Sequence, residues 1–122
     1  FRIIALLQRS ADQGAVVILS THIVSDVEDL CKSMAVMSDG RLRGVGDPRS
    51  LTRALAGQVW GAVGQSVQQL SQRDDVRLLS RRYIGGQEQV RVLAPNCPGQ
   101  DFLAQTPMLE DAYFSLLAEP IL

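Results

Sequence analysis

The sequence predicts an α/β chain in two parts, a parallel βαβ unit with a hairpin over residues 1–56 and a small α+β module over 57–122. Three observations predict it. Two short apolar runs, Ala15–Leu19 and Met34–Met37, are joined by about a dozen residues with helical spacing, enough for a parallel crossover. Asp39-Gly40 and Gly85-Gly86 stand where tight hairpin turns are needed. After Gly57, the order β-α-β-β-α is that of a two-layer module.

The elements follow in chain order. Residues 3–13 read as an amphipathic helix with Ile3, Leu6, Leu7 and Ala11 on one face, ended by Gly14. Ala15-Val16-Val17-Ile18-Leu19 is unbroken and apolar, which predicts a strand covered on both faces. Polar Ser20-Thr21-His22 follows it. A helix over about 24–31 buries Val24, Val27 and Cys31, with Ser25 and Glu28 in capping-box spacing. Asp26 and Asp29 place negative charge near its N-terminus, where the helix dipole favours it. Met34–Met37 is the next strand, and Leu42 and Val45 return antiparallel to it. Asp47-Pro48 marks N-cap and first turn of a helix over about 48–56, with Leu51, Ala54 and Leu55 inward.

Val59–Val63 then reads as a strand, Val67 and Leu70 as a short helix, and Asp74-Asp75 as a turn. Val76–Tyr83 and Gln89–Leu93 are two strands joined around Gly85-Gly86. Pro95, Pro98 and Gly99 mark a loop. Pro107 opens a final helix over 108–118 that turns Leu109, Ala112, Tyr113, Leu116 and Leu117 inward.

Composition narrows the function classes. The 122 residues are 46% hydrophobic and 20% charged, which is globular. A net charge of -1 gives no basic face for nucleic acid and no polybasic membrane anchor. Cys31 and Cys97 are too few for a disulfide framework and lack metal-ligand spacing, which fits a reduced, cytoplasmic setting. No apolar run approaches the roughly 20 residues of a membrane helix. The chain opens on Phe1-Arg2-Ile3-Ile4 without an initiator Met, so the protein is expected to continue upstream.

The stretch Val17-Ile18-Leu19-Ser20-Thr21-His22-Ile23-Val24-Ser25-Asp26-Val27-Glu28-Asp29-Leu30-Cys31 resembles the H-loop region of ABC transporter ATPases. Met34–Ser38, Asp39-Gly40-Arg41 and Gly46-Asp47-Pro48 continue the resemblance in order, so that it spans residues 1–56. Pro107-Met108-Leu109-Glu110-Asp111-Ala112-Tyr113-Phe114 is similar to the helix that ends many ATP subunits of ABC exporters, with Met108 where the family often has a capping Ser and Thr106 as the substitute cap.

The resemblance implies that residues 1–56 are the C-terminal portion of a P-loop NTPase domain with a truncated sheet, and that 57–122 are an accessory module. It implies that His22 is the switch histidine, catalytic and nucleotide-contacting, beside the γ-phosphate. The residue chemistry agrees: ligands gather at the carboxyl ends of parallel strands, and an imidazole N–H can donate to a phosphate oxygen as charge develops. The implied cofactors are ATP and Mg in the full-length subunit. The implied partners are a second ATPase subunit in a homodimer and a transmembrane permease, with the subunit peripheral on the inner face of the membrane.

The chain does not carry the rest of that machinery. A P-loop needs Gly-x-x-x-x-Gly-Lys-Ser/Thr. Lys32, the only lysine, lies between Cys31 and Ser33 with no glycine in place. No apolar strand ends in Asp-Glu. Neither ATP nor Mg is therefore expected to bind this chain alone, and no catalysis is expected of it.

Ile84-Gly85-Gly86-Gln87-Glu88 looks like the family's signature motif, but it follows the H-loop and lacks Ser before the glycines, so it is read as a hairpin turn. Gly44-Val45-Gly46 is a weak nucleotide motif, Trp60 is expected in the core, and Arg81-Arg82 is expected at a solvated strand end.

A second reading makes 57–122 a stand-alone small-ligand-binding, dimerisation or regulatory module. The strand at 15–19 expects neighbours, so a fragment made alone is expected to self-associate through an exposed sheet edge.

Overall fold

The computed structural model describes residues 9, 11–21, 23–65 and 67–117. Among them it forms α1 (Val24–Leu30), β1 (Met34–Ser38), β2 (Arg41–Gly46), α2 (Pro48–Arg53), β3 (Val59–Val63), α3 (Val67–Ser71), β4 (Arg77–Ile84), β5 (Gln87–Leu93), β6 (Leu103–Ala104) and α4 (Leu109–Leu117). The fold is mixed α and β with two sheets, both antiparallel.

Most of the helix expected at 3–13 lies outside the described residues. Its end is visible: Gln13 N–H donates to Arg9 O at 3.1 Å, and Gly14 takes φ +94°. The expected strand Ala15–Leu19 does not form, and with it the parallel βαβ unit is absent among the described residues. Val16 and Ile18 are each 90% exposed. A continuous apolar run encodes a strand only if other strands lie beside it, and here β1 pairs with β2.

The Ser25–Glu28 capping box also fails. Ile23 is the N-cap of α1 and makes no side-chain cap bond, because Ser25 already sits inside the helix. Val24, Val27 and Cys31 are only half-buried, and α1 has no fully buried residue.

Asp39 (φ 53°) and Gly40 (φ 71°) close the β1–β2 hairpin with both central residues left-handed, the conformation that a two-residue turn requires. Val36 is buried while Met37, Leu42 and Val45 face outward. Gly44 is a contact position: a Cβ there would stand 2.9 Å from Leu116 Cδ1. Gly44→Val is therefore expected to destabilise the chain by about 1–3 kcal/mol through overpacking. Adding Leu116→Ala should recover part of that loss in thermal unfolding, and strict additivity of the two changes would contradict the contact.

Asp47 caps α2 as predicted, its Oδ1 accepting Arg49 N–H at 2.8 Å, with Pro48 in the first turn. The helix stops at Arg53 rather than near 56. Ala54, expected inward, is exposed in the closing turn, which ends in Gly57 at φ +75°.

The second sheet has the order β4-β5-β3-β6. Its strands and turns follow the prediction, apart from β6, a two-residue strand on β3 that was not foreseen. On one face Ala62, Val90 and Val92 pack with Leu70, Val76, Ala94 and Phe102. Trp60 joins this core and donates its Nε1–H to Ala94 O at 3.1 Å. The side chains between these positions point the other way, as strand alternation demands, and meet α4. α4 also packs on α1, α2, β1 and β2, so it touches both sheets.

Candidate functional site

His22, the one predicted site residue, lies outside the described residues. The backbone from 15 to 20 leads to Thr21, whose Oγ1 accepts Ile23 N–H at 3.0 Å. A hydroxyl that bonds the amide two residues on makes a tight local turn. α1 begins one residue later, at Val24. Thr21 thus lies in the turn between an apolar run and a helix. A broad open cleft adjoins this region, lined by Val17, Leu19, Glu28, Lys32, Pro48 and Arg53 among others. Its charges are of mixed sign, so it is not an anion cradle.

The described residues carry few of the groups that hold a metal ion or a phosphate chain. Among them no three His, Cys, Asp or Glu side chains gather as metal ligands. Lys32 is exposed beyond the end of α1. No described helix is long and apolar enough to cross a membrane.

Residues set aside as ordinary structure behave as such. Gly85 (φ 59°) and Gly86 (φ 80°) form the β4–β5 turn. Arg81 and Arg82 are exposed, each paired with a carboxylate, Glu88 and Glu110 respectively. Cys31 and Cys97 are free thiols. Arg73, through its hydrogen bonds of 3.0 and 2.7 Å, holds the exposed Asp75 carboxyl below its ordinary value.

The most developed polar network was missed from sequence. Asp111 in α4 is 1% exposed. Its carboxylate accepts Arg91 Nε at 2.9 Å and Nη2 at 2.7 Å, and Oδ2 also accepts Met108 N–H at 2.9 Å. Arg91 Nη2 donates further to Thr106 O at 3.1 Å. The expectation that Thr106 caps the helix is thus corrected: Asp111, the third residue of the helix, reaches back to the Met108 amide instead, a cap of the capping-box type. A signal existed. Asp111 adjoins Ala112 and follows Leu109 by two, within the inward arc, and Arg91 alternates out of the Val90/Val92 face.

Comparison with known proteins gives three curated relatives named Nod factor export ATP-binding protein I. That of Rhizobium etli is 29% identical over 85% of this chain. That of Rhizobium meliloti is 32% identical and that of Rhizobium sp. strain N33 is 30% identical, each again over 85% of the chain. Over most of its length the chain is similar to ATP-binding proteins of ABC transporters. It spans between 34% and 37% of the length of these relatives. No protein-family model and no solved structure matches it.

Proposed function

We propose that the chain serves as the C-terminal part of the ATP-hydrolysing subunit of an ABC exporter. The observation that carries the proposal is the ordered run Ser20-Thr21-His22 between an apolar segment and α1, in a chain whose relatives are named for export and ATP binding. In this reading the His22 imidazole donates a hydrogen bond to the γ-phosphate and helps place the attacking water. Such a donor is worth most where charge develops in the transition state. Residues 1–56 belong to the nucleotide-binding domain and 57–122 to an accessory module.

The phosphate cradle and the acidic pair that holds magnesium are supplied by other residues of the subunit. A second subunit completes a homodimer, and a transmembrane permease holds the pair at the cytoplasmic face. Calorimetric titration of the 122-residue chain with ATP is expected to show no saturable binding, whereas the full-length subunit binds. Saturable binding to the chain alone would overturn the placement of the phosphate cradle.

Burial supports one more expectation. Each exposed Val, Ile or Leu forgoes about 1.5–3 kcal/mol, and an unpaired apolar run pairs readily with another chain. Val16 and Ile18 are in that position. The chain made alone is expected to self-associate, and a strictly monomeric mass in light scattering would contradict this.

The second reading, a regulatory or dimerisation role for 57–122, is favoured by the separate core of the four-stranded sheet. Deletion of 57–122 from the subunit discriminates. Normal ATPase activity with altered transport or assembly favours that role.

A further inference from the structure

Among the described residues, the elements before Gly57 and those after it meet through one helix. α4 packs on α1, α2, β1 and β2, and every extensive contact between elements across Gly57 includes it. The two parts differ in how well they hold themselves. The four-stranded sheet has a core of its own, with Ala62, Leu70, Val90, Val92 and Phe102 among its members, on the face away from α4. Over residues 24–53 only Val36 and Pro48 are fully buried. A layer that buries so little apolar surface cannot offset the entropy of ordering it.

The helix is attached to the two parts by different chemistry on different sides. Toward the sheet the attachments are polar. Arg91 grips Asp111. Arg82 Nη2 reaches both oxygens of Glu110 at 2.9 Å, and Arg77 Nη1 donates to Ser115 O at 3.4 Å. Arg77 and Arg82 would face opposite sides of a regular strand. The bulge between Leu78 and Ser80 brings them to one side, opposite Leu93 and Gln89, in line with Arg91. Toward the β1–β2 hairpin the attachment is apolar. Leu116, roughly 140° around the helix from Asp111, lies over Gly44.

We infer that α4 is a strap: latched to the sheet by the three arginines, it holds the layer of residues 24–53 in place, and a disturbance of the sheet reaches that layer through α4. The strap belongs to both parts, although chain order gives it to the second. A ligand or partner that shifts the sheet acts on the first part by moving this helix. That regulatory meaning rests on the assignment of residues 1–56 to the nucleotide-binding domain and 57–122 to an accessory module.

The test is hydrogen exchange of the 122-residue chain, read by mass spectrometry over peptides from 24–53 and from β3 and β5. Asp111→Asn is expected to speed exchange over 24–53 on the order of tenfold, while β3 and β5 change by less than about twofold, because local opening follows local support. Leu116→Ala, at the other attachment, is expected to give the same pattern. Arg73→Ala, whose hydrogen bonds go to Asp75 and Pro98 O, leaves both regions unchanged.

Equal acceleration in 24–53 and in β3 and β5 marks a global loss of stability and overturns the strap. So does protection over 24–53 that survives both Asp111→Asn and Leu116→Ala. If Asp111→Asn does not fold, Leu116→Ala decides by the same measurement. The readout contains no nucleotide, so normal turnover in His22→Ala would overturn the ATPase reading and leave the exchange pattern standing.

Discussion

Asp111→Ala is expected to lower the unfolding free energy of the chain by about 3 kcal/mol and its melting temperature by roughly 10 °C. The carboxylate is 1% exposed and accepts three hydrogen bonds, two from Arg91 and one from the Met108 amide. Its removal leaves two guanidinium N–H groups and a helix-terminal amide without their acceptor, and Arg91 is itself only 21% exposed. Losing one partner of a buried pair costs far more than the pair is worth in isolation. Arg82–Glu110 is the internal comparison. It joins the same helix to the same sheet, but its side chains are 57% and 36% exposed. Arg82→Ala is therefore expected to cost at most about 1 kcal/mol. Thermal unfolding followed by circular dichroism checks both. Equal effects from the two substitutions would mean that burial of Asp111 does not decide the stability of α4.

His22→Ala in the full-length subunit is expected to reduce ATP turnover on the order of 10²-fold, the usual loss when one transition-state donor is removed. The loss should lie mainly in kcat, with KM for ATP changed much less, because the interaction strengthens only as the γ-phosphoryl is transferred. Turnover at the parent rate would remove His22 from the chemistry and leave the turn between the apolar run and α1 as ordinary structure.

Local chemistry was legible wherever one or two residues decide the backbone. Asp39-Gly40 and Gly85-Gly86 take left-handed conformations and place both hairpins. Asp47-Pro48 caps and opens α2. The alternation of Val90 and Val92 with Gln89 and Arg91 fixes the two faces of β5. Features set by partners were not legible. Ala15–Leu19 has the composition of a central strand, but composition states the environment that a segment prefers and cannot supply the neighbouring strands. β6 is two residues long and exists because the loop after Phe102 passes beside β3. Asp111 reads as a charge in a helix first turn until Arg91, twenty residues earlier, is seen to face it.

The candidate site divides in the same way. The order of residues around His22 and the tail at 107–114 carried the family, and the relatives agree with it. The clamp that holds α4 emerged only when β-strand register was known.

The structure of the full-length subunit with a non-hydrolysable ATP analogue and magnesium tests the central claim most directly. The account predicts an imidazole nitrogen of His22 at about 2.7–3.2 Å from a γ-phosphate oxygen, with the phosphates cradled by residues outside this chain. A His22 ring turned into the protein interior, away from the bound nucleotide, would contradict it.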